Sequence, residues 1–252
     1  MKYFLLRLAA INARQGRDRV LSQLRIEFFL AALSGAALVV MLGDHGAALP
    51  GLALSLALYG IGVTVAAIGM RRSYPHGEVG LCNLVTLSRL ALTASLAALL
   101  LAPAPWPAAD TWRALAIAVT ALLLDGVDGW AARRAGLASR FGARFDLEVD
   151  SLFALLLSLM AYRTGEVGLW VLALGLPRYL FLAAGAVWPL LRRELPDRLS
   201  RKAVCVLQLG TLVAFLVPVI PEGALVTAAV LTLIALTWSF LRDIRLLTAL
   251  AG

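Results

Sequence analysis

Residues 125–150 read DGVDGWAARRAGLASRFGARFDLEVD, between the greasy runs ALAIAVTALLL (114–124) and SLFALLLSLMA (151–161). Two apolar helices joined by a polar turn, with four aspartates at the junction, decide the fold. Asp125 and Asp128 are three apart and share a helix face; Asp146 and Asp150 are four apart and share a face of the returning helix. Gly129 and Ala132 continue the first face almost without side chain, Gly142 lies one turn before Asp146, and Arg133 stands at the edge of the cleared strip. Two antiparallel helices would aim four carboxylates at one point beside a surface open to a bulky ligand.

The rest of the chain supplies the membrane for these helices to sit in. Of 252 residues, 61% are hydrophobic and 15% charged, with a mean hydropathy of +0.87, well above a soluble domain of this length. Spanning helices need about 20 mostly apolar residues. Eight candidates follow: 28–43, 48–70, 81–102, 112–134, 144–162, 167–191, 203–220 and 224–241. With the N-terminus in the cytoplasm, 19 of the 23 Lys and Arg fall on the inner side, the bias expected of cytoplasmic loops. Both termini and the aspartates then share that side. The net charge of +8 is membrane-facing, so nucleic acid is not an expected partner. Cys82 and Cys205 read as small core residues, and His45 and His76 lie in loops, which argues against a disulfide framework or a His-rich metal site.

Residues 1–27 read as a cytoplasmic segment, either an amphipathic helix on the membrane surface or a solvated tail. Residues 28–70 form two leading spans, 71–80 a cytoplasmic loop, and 81–252 a six-span domain. The expected fold class is therefore all-α and polytopic.

Four like charges at the edge of hydrocarbon repel one another, and each costs about 2.5–3.5 kcal/mol at mid-membrane on insertion scales. Hard divalent cations, Mg²⁺ or Mn²⁺, are the economical compensation, and shared aspartates can bridge two of them. Such a pair binds phosphates and stabilises both oxygens of a displacement. The bland alternative is a set of Asp–Arg pairs with Arg133, Arg134, Arg140 and Arg144.

The pattern Asp125-x₂-Asp128-Gly129-x₂-Ala132-Arg133-x₈-Gly142-x₃-Asp146-x₃-Asp150 resembles the signature of the CDP-alcohol phosphotransferase family at all eight fixed positions over 26 residues. The six spans from about 80 to 241 are similar in number and order to that family's core. The resemblance implies attack of an acceptor hydroxyl on the β-phosphorus of a CDP-alcohol, typically CDP-diacylglycerol, with release of CMP. It implies that Asp125, Asp128, Asp146 and Asp150 hold two divalent ions and that Asp150 is the general base. It also implies that Gly129 and Ala132 admit the nucleotide, Gly142 keeps the return helix close, and Arg133 reaches the diphosphate. NLVTLSR (83–89) resembles a segment preceding the signature, with Asn83, Thr86 and Arg89 facing the nucleotide. A homodimer in a bacterial inner membrane, making a phospholipid or its precursor, completes what the resemblance implies.

Arg178, deep in an apolar run beside Pro177, is costly unless it faces a cavity or a partner. With Arg198, Arg201 and Lys202 it is a candidate acceptor site that favours a phosphorylated alcohol, although Arg201 and Lys202 also read as ordinary membrane anchors. Glycerol 3-phosphate is the first expectation; serine, an inositol phosphate, choline and a second lipid stay open. Ser151 stands where many members with phosphorylated acceptors carry Lys. An intramembrane prenyltransferase would want two distant Asp-rich motifs, and a cation path would want acids at the midplane of several spans. Neither pattern is present.

Overall fold

The computed structural model describes residues 24–43, 48–135, 139–188 and 198–249, with backbone alone at 48, 127–135 and 249. Among the described residues there is no strand. In lipid the backbone must satisfy its own hydrogen bonds, so apolar runs of this length become helices. They are α1 (Leu24–Leu42), α2 (Ala48–Ser73), α3 (Gly80–Leu96, extended by a 3₁₀ turn to Leu100), α4 (Ala108–Ala135), α5 (Arg140–Thr164), α6 (Leu172–Gly175, preceded by a 3₁₀ turn from Leu169), α7 (Pro177–Val187), α8 (Leu199–Ala214) and α9 (Glu222–Ala249). The expected surface segment before residue 24 lies outside the described residues.

Each expected span has a helical counterpart in order, but length and apolarity alone single out four: α1, α2, α3 with its extension, and α9. Among the described residues a fifth follows if the pair Leu169–Gly175 and Pro177–Val187, bent by 71°, is one broken span. The run read as one helix over 167–191 is thus two rods. Pro177 has no N–H to continue the ladder, and Leu176 N closes α6 on Leu172 O at 3.0 Å. Gln208 of α8 donates its amide to Leu174 O, supplying a donor at the break. The run read as 203–220 stops as a helix at Ala214, because Pro218 removes the next donor and disfavours helix before it.

Two apolar clusters organise the bundle. Leu96, Leu99, Phe153, Leu157, Met160, Leu174, Leu212 and Leu216 form the larger one, inside α3–α9. Tyr59, Ala66, Met70, Leu87, Leu90, Phe141 and Phe145 form the second, which seats α2 on α3 and the start of α5. Tyr59 Oη donates to Ala32 O at 3.0 Å and holds α1 on α2. The other faces of these two helices expose Phe29, Leu33, Ile61 and Val65, a surface suited to lipid rather than water.

Local capping fixes α5, the helix that matters most. Ser139 Oγ accepts from Gly142 N at 3.0 Å at its start. Gly165, at φ 83°, ends it in the left-handed conformation that glycine adopts without strain. Arg163 donates to Ala102 O at 2.6 Å, pinning the far end of α5 to the chain after α3. From there α6 and α7 return the chain to the end that carries Asp150, since Arg201 of α8 and Asp243 of α9 line the same cavity as that aspartate.

Candidate active site

Arg89 is the largest fully buried side chain, 1% exposed. On α3 it stands between the end of α4 and the beginning of α5. Its Nη2 lies 2.9 Å from Asp125 Oδ1 and also meets Asp150 Oδ1, while Nη1 meets Asp146 Oδ1. Its Nε donates to Ala121 O at 3.3 Å. The guanidinium is thus a floor for three carboxylates whose side chains are 29% to 35% exposed and so open to a ligand. Sequence reasoning put Arg89 beside the nucleotide; the geometry puts it among the aspartates.

The convergence of Asp125, Asp146 and Asp150 follows from their helical spacing and the antiparallel return of α5. Each offers an oxygen within 4.8 Å of the others. All three donors are hard oxygens, the set that Mg²⁺ and Mn²⁺ take. With Arg89 they carry an excess of negative charge that a divalent ion offsets, so the donor chemistry fits a metal. The side chains of Asp128, Gly129-adjacent Trp130, Ala132 and Arg133 lie outside the described atoms; only their place on α4 is described.

Asn83 and Thr86 precede Arg89 at steps of three along α3, and both are buried. Thr86 Oγ1 donates to Cys82 O at 2.9 Å. A Cβ added to Gly142 would lie 3.3 Å from Asn83 Oδ1, so the absence of a side chain there lets α5 touch α3.

On the other side of Asp150 a cavity of about 240 Å³ opens among α5, α6, α7, α8 and α9. Asp150, Ser151, Arg178, Arg201, Gln208 and Asp243 give it polar points. Phe181, Leu209, Leu236 and Phe240 make much of its wall apolar. Two of the four basic residues expected here, Arg178 and Arg201, line it; Arg198 and Lys202 are absent from the lining. Both lining arginines have acidic partners that sequence reasoning missed. Arg178 Nη2 lies 2.6 Å from Glu148 Oε1, and Arg201 reaches the buried Asp243 at 3.1 and 3.3 Å. No local spacing links either pair, so nothing short of the fold could have found them.

A family model for CDP-alcohol phosphatidyltransferases matches residues 79–239, covering α3 through most of α9. No curated protein and no solved structure matches the chain. The family uses a CDP-alcohol as the donor and an alcohol as the acceptor. This chain belongs to the CDP-alcohol phosphatidyltransferase family.

Proposed function

We propose that the protein transfers the phosphatidyl group of CDP-diacylglycerol, or the equivalent group of another CDP-alcohol, to the hydroxyl of a small acceptor and releases CMP. The observation that carries this reading is the position of Asp150, shared between the carboxylate cluster and the cavity. A diphosphate held at the cluster and an alcohol held in the cavity would meet at that residue.

The acceptor oxygen attacks the β-phosphorus, the bond from that phosphorus to the bridging oxygen breaks, and CMP leaves with the electron pair. Asp150 takes the hydroxyl proton, a general-base role that contributes typically 10²–10⁴-fold. Asp125, Asp146 and Asp150, with Asp128 assigned on the resemblance, would hold two divalent cations, Mg²⁺ or Mn²⁺. When bound, these supply charge neutralisation at the diphosphate. Asn83, Thr86 and Gly142 form the nucleotide side, together with Gly129, Ala132 and Arg133 by resemblance. Positioning and electrostatics then carry most of the rate, because little covalent chemistry falls to the protein.

Glycerol 3-phosphate is the first acceptor to test, since Arg178 and Arg201 both face the cavity. Their pairing with Glu148 and Asp243 makes neutral alcohols a necessary part of the panel. The distribution of basic residues supports a site on the cytoplasmic side of the membrane, and the family resemblance supports a homodimer; a bacterial inner membrane is the setting proposed. Family membership leaves the prenyltransferase and cation-path readings without support.

The test is CMP release by purified protein from CDP-diacylglycerol with Mn²⁺ or Mg²⁺ and a panel of acceptors, beside Asp150→Asn. Metal-dependent release with one acceptor, lost in the variant, establishes the reaction. Binding of CDP-diacylglycerol without release points to an acceptor outside the panel, and failure to bind either nucleotide or metal sinks the reading.

A further inference from the structure

The family match begins at residue 79, yet the chain just before it reaches into the nucleotide side of the site. Tyr74, one residue past α2, accepts from Asn83 Nδ2 at 3.1 Å. Its hydroxyl in turn faces the carbonyls of Glu78 at 2.8 Å and Val79 at 2.9 Å, where its proton goes. The second proton of the Asn83 amide goes to Val79 O at 2.6 Å. Both N–H groups of that amide are therefore committed on one side. The carbonyl Oδ1 is left facing Gly142, the position where the return helix approaches without a side chain.

The same leading unit fixes the other half of this contact. Phe141, next to Gly142, sets its ring edge-on to Tyr74 at 5.7 Å and stacks on Phe145 at 5.9 Å. A Cβ on Gly69 of α2 would stand 2.8 Å from Phe141 Cε2, so the ring lies in a notch that glycine leaves open. From α1, Glu27 Oε2 accepts from Val79 N at 3.2 Å, steadying the carbonyl that holds the amide. Burial pushes the Tyr74 phenol above its ordinary range, so its proton is retained through neutral pH.

We infer that Tyr74 is a positioning residue for the CDP-alcohol: with the Val79 carbonyl it holds both N–H groups of the Asn83 amide, so that the site presents an acceptor towards Gly142 and not a donor. An amide has two similar ends and turns over freely when nothing distinguishes them. The Val79 carbonyl, which can only accept, makes the distinction together with the Tyr74 hydroxyl, whose own proton is spent on the Glu78 and Val79 carbonyls. The two leading helices are on this account part of the specificity apparatus, because they carry Tyr74 and seat Phe141. The inference rests on the reading of Asn83 and Gly142 as nucleotide contacts.

The experiment uses the full-length protein in detergent, with steady-state CMP release measured against CDP-diacylglycerol concentration for wild type, Tyr74→Phe, Asn83→Ala and the double variant. Tyr74→Phe keeps the ring on Phe141 and deletes only the hydroxyl. It should raise KM for the CDP-alcohol about three- to tenfold, the worth of one hydrogen bond, with kcat and melting temperature little changed. In the Asn83→Ala background the same substitution should add nothing. An unmoved KM, a loss confined to melting temperature, or an equal KM rise without Asn83 overturns the inference while leaving the activity standing. Absence of CMP release by wild type, with every acceptor offered, instead removes the functional reading on which it rests, and the inference with it.

Discussion

Arg178 Nη2 and Glu148 Oε1 lie 2.6 Å apart, joining the first turn of α7 to the stretch of α5 between Asp146 and Asp150. The pair is partly exposed, at 27% and 41% for the two side chains, so it holds little stability, about 0–1 kcal/mol. Its effect is to offset the charge that Arg178 offers to the cavity it lines. Glu148→Gln should therefore leave melting temperature nearly unchanged and lower KM for a phosphorylated acceptor about two- to fivefold. Neutral acceptors should show no such gain in the same CMP assay.

Arg89 has the opposite character, being buried among carboxylates. Arg89→Leu leaves Asp125, Asp146 and Asp150 facing one another without their shared cation, at a cost of about 3–5 kcal/mol. Mn²⁺ should return much of it, since a ligand at a thousandfold its Kd contributes about 4 kcal/mol to the state that binds it. Thermal unfolding with EDTA and with Mn²⁺ gives the comparison. A variant that gains no more from Mn²⁺ than wild type does would contradict the placement of metal at these three residues.

Asp146→Asn removes one hard donor from the cluster while preserving shape. Metal-dependent CMP release should fall at least about 10²-fold, and Mn²⁺ binding followed by electron paramagnetic resonance should weaken in parallel. Full Mn²⁺ affinity with lost activity would move Asp146 from metal binding to some other role.

At the opposite end of the bundle, Glu166 has its carboxyl pushed up by burial first and by the Glu222 charge second, and its Oε2 has no hydrogen-bond partner among the described residues. An acid whose folded pKa is raised binds its proton more tightly when folded, so stability falls as pH rises through that range. Glu166→Gln should give a small rise in melting temperature at neutral pH that fades as pH drops towards ordinary carboxylate values. A constant gain at every pH would point to something other than ionisation.

Gly175 sits where α6 presses on α5: an added Cβ would stand 2.9 Å from Ala154 O and from Leu155 Cα and would meet Ser158 Oγ. Backbone cannot yield as a side chain can, so Gly175→Val should cost about 1–3 kcal/mol by overpacking, measured as thermal unfolding in detergent.

What the sequence made legible was periodic and local. Apolar runs announced the helices, and spacings of three and four brought Asp125 towards Asp146 and Asp150. Interactions between distant segments left no such trace. Arg89 lies 57 and 61 residues from Asp146 and Asp150, and NLVTLSR suggested a nucleotide contact for it without showing its carboxylate partners. Arg178 and Glu148 are 30 residues apart and Arg201 and Asp243 are 42, so cations that read as available for an acceptor were paired by the fold. Pro177 marked a weak point in its run but neither the 71° angle there nor the Gln208 amide of α8 that meets the Leu174 carbonyl. Tyr74 stood in a loop whose only visible feature was its position as a seam.

The bend at Leu176 also bears on how this flank would meet lipid. Its two rods hold seven and eleven residues, or about 10 and 16 Å of helix, set at 71° to each other. Together they fall well short of a hydrocarbon layer roughly 30 Å thick. A span that short is met by a thinner bilayer, by flanking side chains that reach the interface or by a partner helix, each at fractions of a kcal/mol per Å. Pro177 and Phe181, at the break and one turn past it, line the cavity next to Asp150. Apolar wall and polar points thus meet in one cavity, so a group with a lipid tail and a water-borne alcohol would each find a matching surface beside Asp150.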